Sequence, residues 1–221
     1  TEKQATLDQS LPLEEGMEIF TSVDAELDEN APLGAEFFLA LTREGTLKVD
    51  ALSSSYISSD QLLREPMVFE NREPRLEGAV TVRTVGRGLG RIFVYKKDRT
   101  SSPGHSVIAR ILSGMDMIKL AGPGQKITIN VRPERIMLLG SSLKDALLQM
   151  QSKGIEAQAE GYQGEDAVVV KQDPGTTMAI LKGRKVLLHG MPSSRMVAIS
   201  LFDDLAPKTL DYFRHVTGLK E

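Results

Sequence analysis

Arg83, Arg87, Arg91 and Lys96 stand close in sequence to Phe93 and His105, and these six side chains are the first candidates for chemistry. A guanidinium presents a fixed fork of donors, and an ammonium is a compact point charge. The four cations therefore read as a small basic rim for an acidic partner. Phe93 offers an apolar wall, and His105 is the residue type that changes charge near neutral pH, so Arg91, Phe93 and His105 are candidates for one pocket. The plain alternatives are a strand aromatic packed in the core and a strand-start histidine with satisfied hydrogen bonds. His189 and His215 lie in other segments, which argues against a metal triad. Gly86-Arg87-Gly88-Leu89-Gly90 invites a phosphate-loop reading, but it lacks the closing Gly-Lys-Ser/Thr and precedes a strand pattern rather than a helix.

The elements that must carry these side chains are strands. Val80, Val82 and Val85 are set between Thr81, Arg83 and Thr84, the period of a half-buried strand. The glycine turn follows, where bare backbone suits tight geometry. Arg91-Ile92-Phe93-Val94-Tyr95 is rich in β-branched and aromatic residues and predicts a second strand. A polar loop over 96–104 leads to a third strand over 105–111, with a turn at Ser113-Gly114. Three short strands separated by turn residues predict a meander in a barrel or sandwich.

Composition narrows the function classes. The chain has 221 residues, 41% hydrophobic and 26% charged, as expected for an ordinary globular protein. A net charge of −3 gives no footprint for nucleic acid. No apolar run approaches the roughly 20 residues that span a bilayer, so no membrane partner is expected. Cysteine is absent, which excludes disulfides, thiolate metal sites and cysteine nucleophiles and fits a reducing cytoplasm. Tryptophan is absent as well, and few aromatics remain for a base-stacking platform. The expectation is of neither cofactor nor metal. Thr1-Glu2-Lys3-Gln4 has no signal-peptide pattern and no initiator Met, which reads as a portion of a longer or processed chain.

The rest of the chain divides into four parts. Residues 1–16 are polar and aperiodic, a flexible arm, and Met17-Glu18-Ile19-Phe20 reads as a short strand. Asp24, Glu26, Asp28 and Glu29 precede Ala31-Pro32, where carboxylates suit the positive end of a helix running from Pro32 to about Leu41; the spacing is not that of a Ca²⁺ loop. A strand over 46–50, a serine-rich loop over 53–59 and an irregular surface connection over 64–77 follow, and a strand over 126–131 closes a barrel spanning 17–137. Ser141 or Ser142 can cap a helix over Leu143, Ala146, Leu147 and Met150, stopped at Gly154, with strands over 155–159 and 167–172 completing a module over 138–182. Short strands are expected over 176–181 and 185–189. The remainder, 183–221, ends in a strand and an amphipathic helix: Val197 to Phe202, the acidic turn Asp203-Asp204, then Leu205-Ala206-Pro207 and Tyr212-Phe213. This is an internal repeat of the earlier Asn30-Ala31-Pro32 followed by Phe37-Phe38.

The order glycine turn, Ile92-Phe93-Val94, His105-Ser106-Val107-Ile108 and Gly114-Met115-Asp116-Met117-Ile118 resembles the second half of a cyclophilin barrel. The 138–182 unit resembles the PASTA type of recognition module. With Arg132-Pro133-Glu134-Arg135-Ile136, Leu139-Gly140-Ser141-Ser142 and Ala206-Pro207…Tyr212-Phe213-Arg214…Thr217-Gly218-Leu219, the chain resembles the C-terminal portion of the methanogenesis marker protein 3 family. That resemblance implies a cytoplasmic protein of methanogenic archaea, described as a cyclophilin-type isomerase and associated with the assembly that activates methyl-coenzyme M reductase. Cyclophilins set an arginine against the prolyl peptide to lower a barrier of about 18–20 kcal/mol. By the resemblance, Phe93 and His105 match pocket positions and Arg91 stands where a glutamine is usual. The arginine motif has no counterpart among residues 49–56, nor the tryptophan among 100–103. The expected fold is α+β and mostly β: a cyclophilin-like β-barrel, a small helix-on-sheet module and a terminal strand–helix. The expected function is a non-catalytic binding or assembly module with protein partners in the methyl-coenzyme M reductase activation complex. The alternative is a peptidyl-prolyl cis-trans isomerase with a degraded site.

Overall fold

A computed structural model describes residues 21–197, 199–202 and 205–217. The arm at 1–16, the strand at 17–20 and the terminal Gly218-Leu219 lie outside the described residues. The described residues are mixed α/β and mostly β, with one eight-stranded and one three-stranded sheet among them. In chain order the first unit contains β1 (Val23–Leu27), α1 (Pro32–Leu41), β2 (Thr46–Lys48), β3 (Ala51–Leu52), β4 (Tyr56–Ser59), β5 (Ala79–Arg83), β6 (Ile92–Tyr95), β7 (His105–Ser113), α2 (Met115–Leu120) and β8 (Lys126–Arg132).

The eight strands run in the order β2-β8-β1-β7-β5-β6-β4-β3. The two edge strands are consecutive in the chain, separated only by Val49 and Asp50. The Val49 amide donates to Gln125 O at 2.8 Å and the Asp50 amide to Ser58 O at 2.8 Å. The sheet therefore curls until its two ends meet in the segment 46–52, which leaves little open edge for foreign strands. Phe38, Leu47, Ile57, Ile92, Ile108 and Ile129 fill the interior. Each such buried side chain contributes roughly 1.5–3 kcal/mol of transfer free energy.

Three local expectations change in this unit. The acidic stretch before Pro32 is divided: Asp24 and Glu26 lie on the outer face of β1, whose Val23, Ala25 and Leu27 point inward between antiparallel β7 and parallel β8, and only Asp28 and Glu29 stand in the turn before α1. The carboxylate at the helix start comes from far away, because the Leu33 and Gly34 amides donate to the two oxygens of Glu70 at 3.0 and 2.8 Å. The serine-rich loop contains β4, which pairs with β6. β5, β6 and β7 do not form the expected sequential meander, because β5 lies between β6 and β7. The connection 64–77 is irregular and largely exposed, as expected, with local anchors. Met67 enters the core, and the Glu70 and Asn71 amides donate to Ser106 Oγ.

The second unit contains α3 (Leu143–Ser152), β9 (Glu156–Gly161), β10 (Ala167–Asp173), α4 (Thr177–Gly183) and β11 (Lys185–Pro192). The helix and two strands expected over 138–182 are present, but β9 and β10 do not pair with each other. β11 lies between them, parallel to β9 and antiparallel to β10, so the sheet continues past residue 182. The segment 176–181, read as a strand, is the helix α4. Ile136, Leu138, Met150, Val169, Ile180 and Leu188 form a separate core.

Glu36 of α1 joins the units. It accepts from Arg135 Nε at 2.6 Å and from the Thr177 amide at 2.7 Å, both at the first turn of α4 or the linker leading to it. Beyond β11 the described chain ends in α5 (Pro207–Thr217). Among the described residues no helix is long and apolar enough to cross a membrane.

Candidate functional site

Register explains how Phe93 and His105 come together. Ser58 opposes Phe93, Phe93 opposes Thr81, and Thr81 opposes Val107; one step along, Arg83 opposes His105 and Tyr56 opposes Tyr95. Directly opposed residues share a face of a sheet. This face is the reverse of the one that sends Val80, Val82, Ile92 and Val94 into the main core. On it the rings of Phe93 and His105 lie 4.9 Å apart, edge to face, and Tyr56 meets Phe93 at 5.0 Å. Tyr95 stacks beside Phe93 at 6.3 Å. Such pairs add about 0.5–1.5 kcal/mol beyond area burial.

Two arginines close the cluster. Arg83 Nη1 lies 3.2 Å from His105 Nε2. Arginine can only donate, so Nε2 is the acceptor and the imidazole proton sits on Nδ1, which donates to the buried Thr81 hydroxyl at 3.2 Å. Arg75 donates from Nη1 to the Tyr95 hydroxyl at 2.9 Å and from Nε to Thr100 O at 2.8 Å, with its guanidinium over the Tyr95 ring. Burial, followed by the charges of Arg75 and Arg83, pulls the His105 pKa down to about 4. The imidazole is therefore neutral at physiological pH and both its nitrogens are engaged. Phe93 and His105 are only 6% and 5% exposed. The arrangement is a packed aromatic cluster beside two guanidinium groups.

The four cations of the expected rim occupy different settings. Arg83 turns inward; its Nε also donates to Val85 O at 3.0 Å, and its stem lies under Gly88, where a Cβ would come within 2.8 Å of Arg83 Cδ. The glycine turn thus wraps an arginine. Arg91 is drawn to Asp60, with Nη2 donating to Oδ2 at 2.8 Å and Nε to Oδ1. Arg87 is exposed at the turn. Lys96 sits just beyond β6, where burial, then Lys97, lowers its pKa. Arg83 is the one of the four that joins Phe93 and His105. Among the described residues no group of three or more His, Asp or Glu could hold a metal ion.

Sequence reasoning named Phe93, His105 and Arg83 but passed over Tyr56, Thr81, Tyr95 and Arg75 as site residues. Tyr95 was legible by period, two residues from Phe93 on the same strand. Arg75 had no local signal, since its contact with Tyr95 depends on how the connection 64–77 folds back.

No family model matches the chain. It is 50% identical over 220 residues to a UPF0288 protein of Methanosarcina barkeri, an alignment that takes in 100% of this chain and 42% of the relative. The UPF0288 protein of Methanothermobacter thermautotrophicus is 37% identical over 218 residues, covering 99% of this chain and 42% of its own length. That of Methanopyrus kandleri is 32% identical over 218 residues, covering 98% and 42%. Among solved structures, a conserved protein of unknown function from a locus in Enterococcus faecalis aligns with a TM-score of 0.39 at 22% identity, over 50% of this chain and 30% of its own. A protein from B. cereus aligns with a TM-score of 0.43 at 11% identity, over 49% and 33%. The chain is thus similar along its whole length to UPF0288 proteins of methanogens, and it spans less than half the length of those relatives.

Proposed function

We propose that this chain is a protein-binding module without chemistry of its own, which holds a partner within a larger cytoplasmic assembly of methanogens. The observation that carries this reading is the contrast between two surfaces. The rings of Phe93 and His105 are buried and both His105 nitrogens are engaged, whereas Val197, Phe202, Leu205, Tyr212 and Val216 lie exposed along one terminal segment. Apolar residues gathered in this way mark an interaction surface. The resemblance to the methanogenesis marker protein 3 family points to the methyl-coenzyme M reductase activation machinery as the assembly. The test is co-purification of the tagged chain from methanogen lysate with mass spectrometry. Recovery of methyl-coenzyme M reductase and its activation partners, absent from a tag-only control, is expected. A protein set identical to that of the control overturns the assembly role.

A second reading, a cyclophilin-type prolyl isomerase, draws on one observation: an arginine, Arg83, lies in hydrogen-bond reach of the paired Phe93 and His105. A prolyl-peptide turnover assay decides it. Turnover above background that disappears in Arg83→Ala favours the enzyme, and a background rate in the unmodified chain rejects it.

A further inference from the structure

The terminal segment repeats the opening of the described fold. Val23, Ala25 and Leu27 alternate on β1; Asp28-Glu29 follows, then Ala31-Pro32 opens α1, and Phe37-Phe38 lies one and a half turns in. Val197, Ile199 and Leu201 alternate in the same way; Asp203-Asp204 follows, then Ala206-Pro207 opens α5, and Tyr212-Phe213 stands at the place of Phe37-Phe38. The connector is one residue longer in the second copy. The helices also open alike, with Ala35 N donating to Ala31 O at 2.8 Å and Leu210 N to Ala206 O at 3.0 Å.

The surroundings of the two copies differ. β1 has an antiparallel neighbour on one side and a parallel neighbour on the other, and Ala31, Ala35 and Phe38 of its helix are buried against the same core. The second copy pairs with no strand among the described residues. Val197 is 81% exposed, Phe202 66%, Leu205 82% and Tyr212 70%. A strand with this alternation and no neighbours leaves unpaired backbone groups and apolar side chains in water.

We propose that residues 197–217 are the first strand and helix of a second curled sheet. Its partner is a polypeptide that supplies one antiparallel and one parallel strand, as β7 and β8 do for β1. That polypeptide is the stretch the longer relatives carry outside the matched residues. This goes beyond the binding reading, because it assigns the exposed segment to the same polypeptide instead of a separate protein. One difference between the copies sets a requirement on the partner. Gly34 lets α1 approach β7 so closely that a Cβ there would lie 2.5 Å from Ile108 Cγ2, and Thr209 stands at the matching place in α5. The partner strand must therefore present a residue smaller than isoleucine under Thr209.

Hydrogen–deuterium exchange with peptide-level mass spectrometry tests this on the 221-residue chain and on the full-length Methanosarcina barkeri relative. In the chain, the amides of Val197 and Ile199–Phe202 should exchange at least about 100-fold faster than those of β1. In the full-length relative the aligned segment should be protected to within about tenfold of its own β1. Fast exchange there overturns the proposal, as does protection that appears in the 221-residue chain alone as its concentration rises, which would make a second copy the occupant. Both readings claim the same segment, so the experiments separate them: protection in the full-length relative with no specific protein recovered from lysate supports this proposal and removes the binding reading, and fast exchange with specific recovery does the reverse.

Discussion

At the scale of single residues, His105 has the most measurable consequence. Its folded-state pKa of about 4 lies below the ordinary 6.5, because burial and two neighbouring guanidinium groups penalise the imidazolium. Above pH 6.5 folded and unfolded chains both hold a neutral ring and the stability is fully present. As pH falls from 6.5 towards 4 the unfolded chain takes up a proton that the folded chain refuses, so stability drops, by up to about 3 kcal/mol from this group. Urea midpoints for the unmodified chain and His105→Gln at pH 7.5 and 4.5 should differ in that direction, with the larger loss in the unmodified chain; equal losses would contradict the assignment. Arg91 illustrates the opposite lesson. Its place two residues before Phe93 suggested a pocket cation, but the carboxylate of Asp60, at the end of the neighbouring strand β4, captures it. Arg91→Ala should cost about 1 kcal/mol in a denaturant titration, the value of a partly exposed pair.

At the scale of elements, contacts distant in sequence set the geometry. Glu36 serves Arg135 and the start of α4 together, and all of them are largely shielded from water. Glu36→Ala strands a guanidinium and an amide, for an expected cost of about 2–4 kcal/mol. The double variant Glu36→Ala/Arg135→Met should recover part of that cost, whereas no recovery in thermal melts would mean the loss is not electrostatic. Gly90 holds the end of the glycine turn at φ +81°, and a Cβ there would come within 1.8 Å of Leu62 O. Gly90→Ala must shift backbone as well as adopt a strained dihedral, so about 3 kcal/mol or more should be lost, as judged by the urea midpoint. The same turn without its steric neighbour would tolerate alanine for about 1 kcal/mol.

At the scale of the whole molecule, the two cores predict where the chain can be cut. β11 is the central strand of the small sheet, so ending the chain at residue 185 removes the middle of that sheet and should unfold the second unit. Ending it after Arg195 removes the segment that carries the exposed Val197, Phe202, Leu205 and Tyr212. That shortened chain should melt within about 3 °C of the parent and bind less of an apolar-surface dye such as ANS. A large drop in melting temperature would mean that α5 supports the described fold.

Much of this architecture was legible in order along the chain. The strands at 79–83 and 92–95, the helix starting at Pro32 and the helix from Leu143 follow from apolar period, β-branching and stop signals, all of which act within a few residues. Phe93 and His105 were named together from their closeness in the chain, but the sequential meander expected of their strands is not formed: β5 lies between β6 and β7. The internal repeat at 197–217 was also plain in residue types alone. Tertiary structure decided the rest: that Asp24 and Glu26 lie on a central strand, that β11 slots between β9 and β10, and that Glu70 and Glu36 serve helix starts 36 and 141 residues away. It also set the partners of both His105 ring nitrogens and paired Arg91 with Asp60. The physical reason is range. Dihedral preference and hydrophobic period are properties of neighbouring residues, whereas strand order, the satisfaction of buried amides and the capture of a guanidinium depend on which distant groups the core brings within about 3 Å.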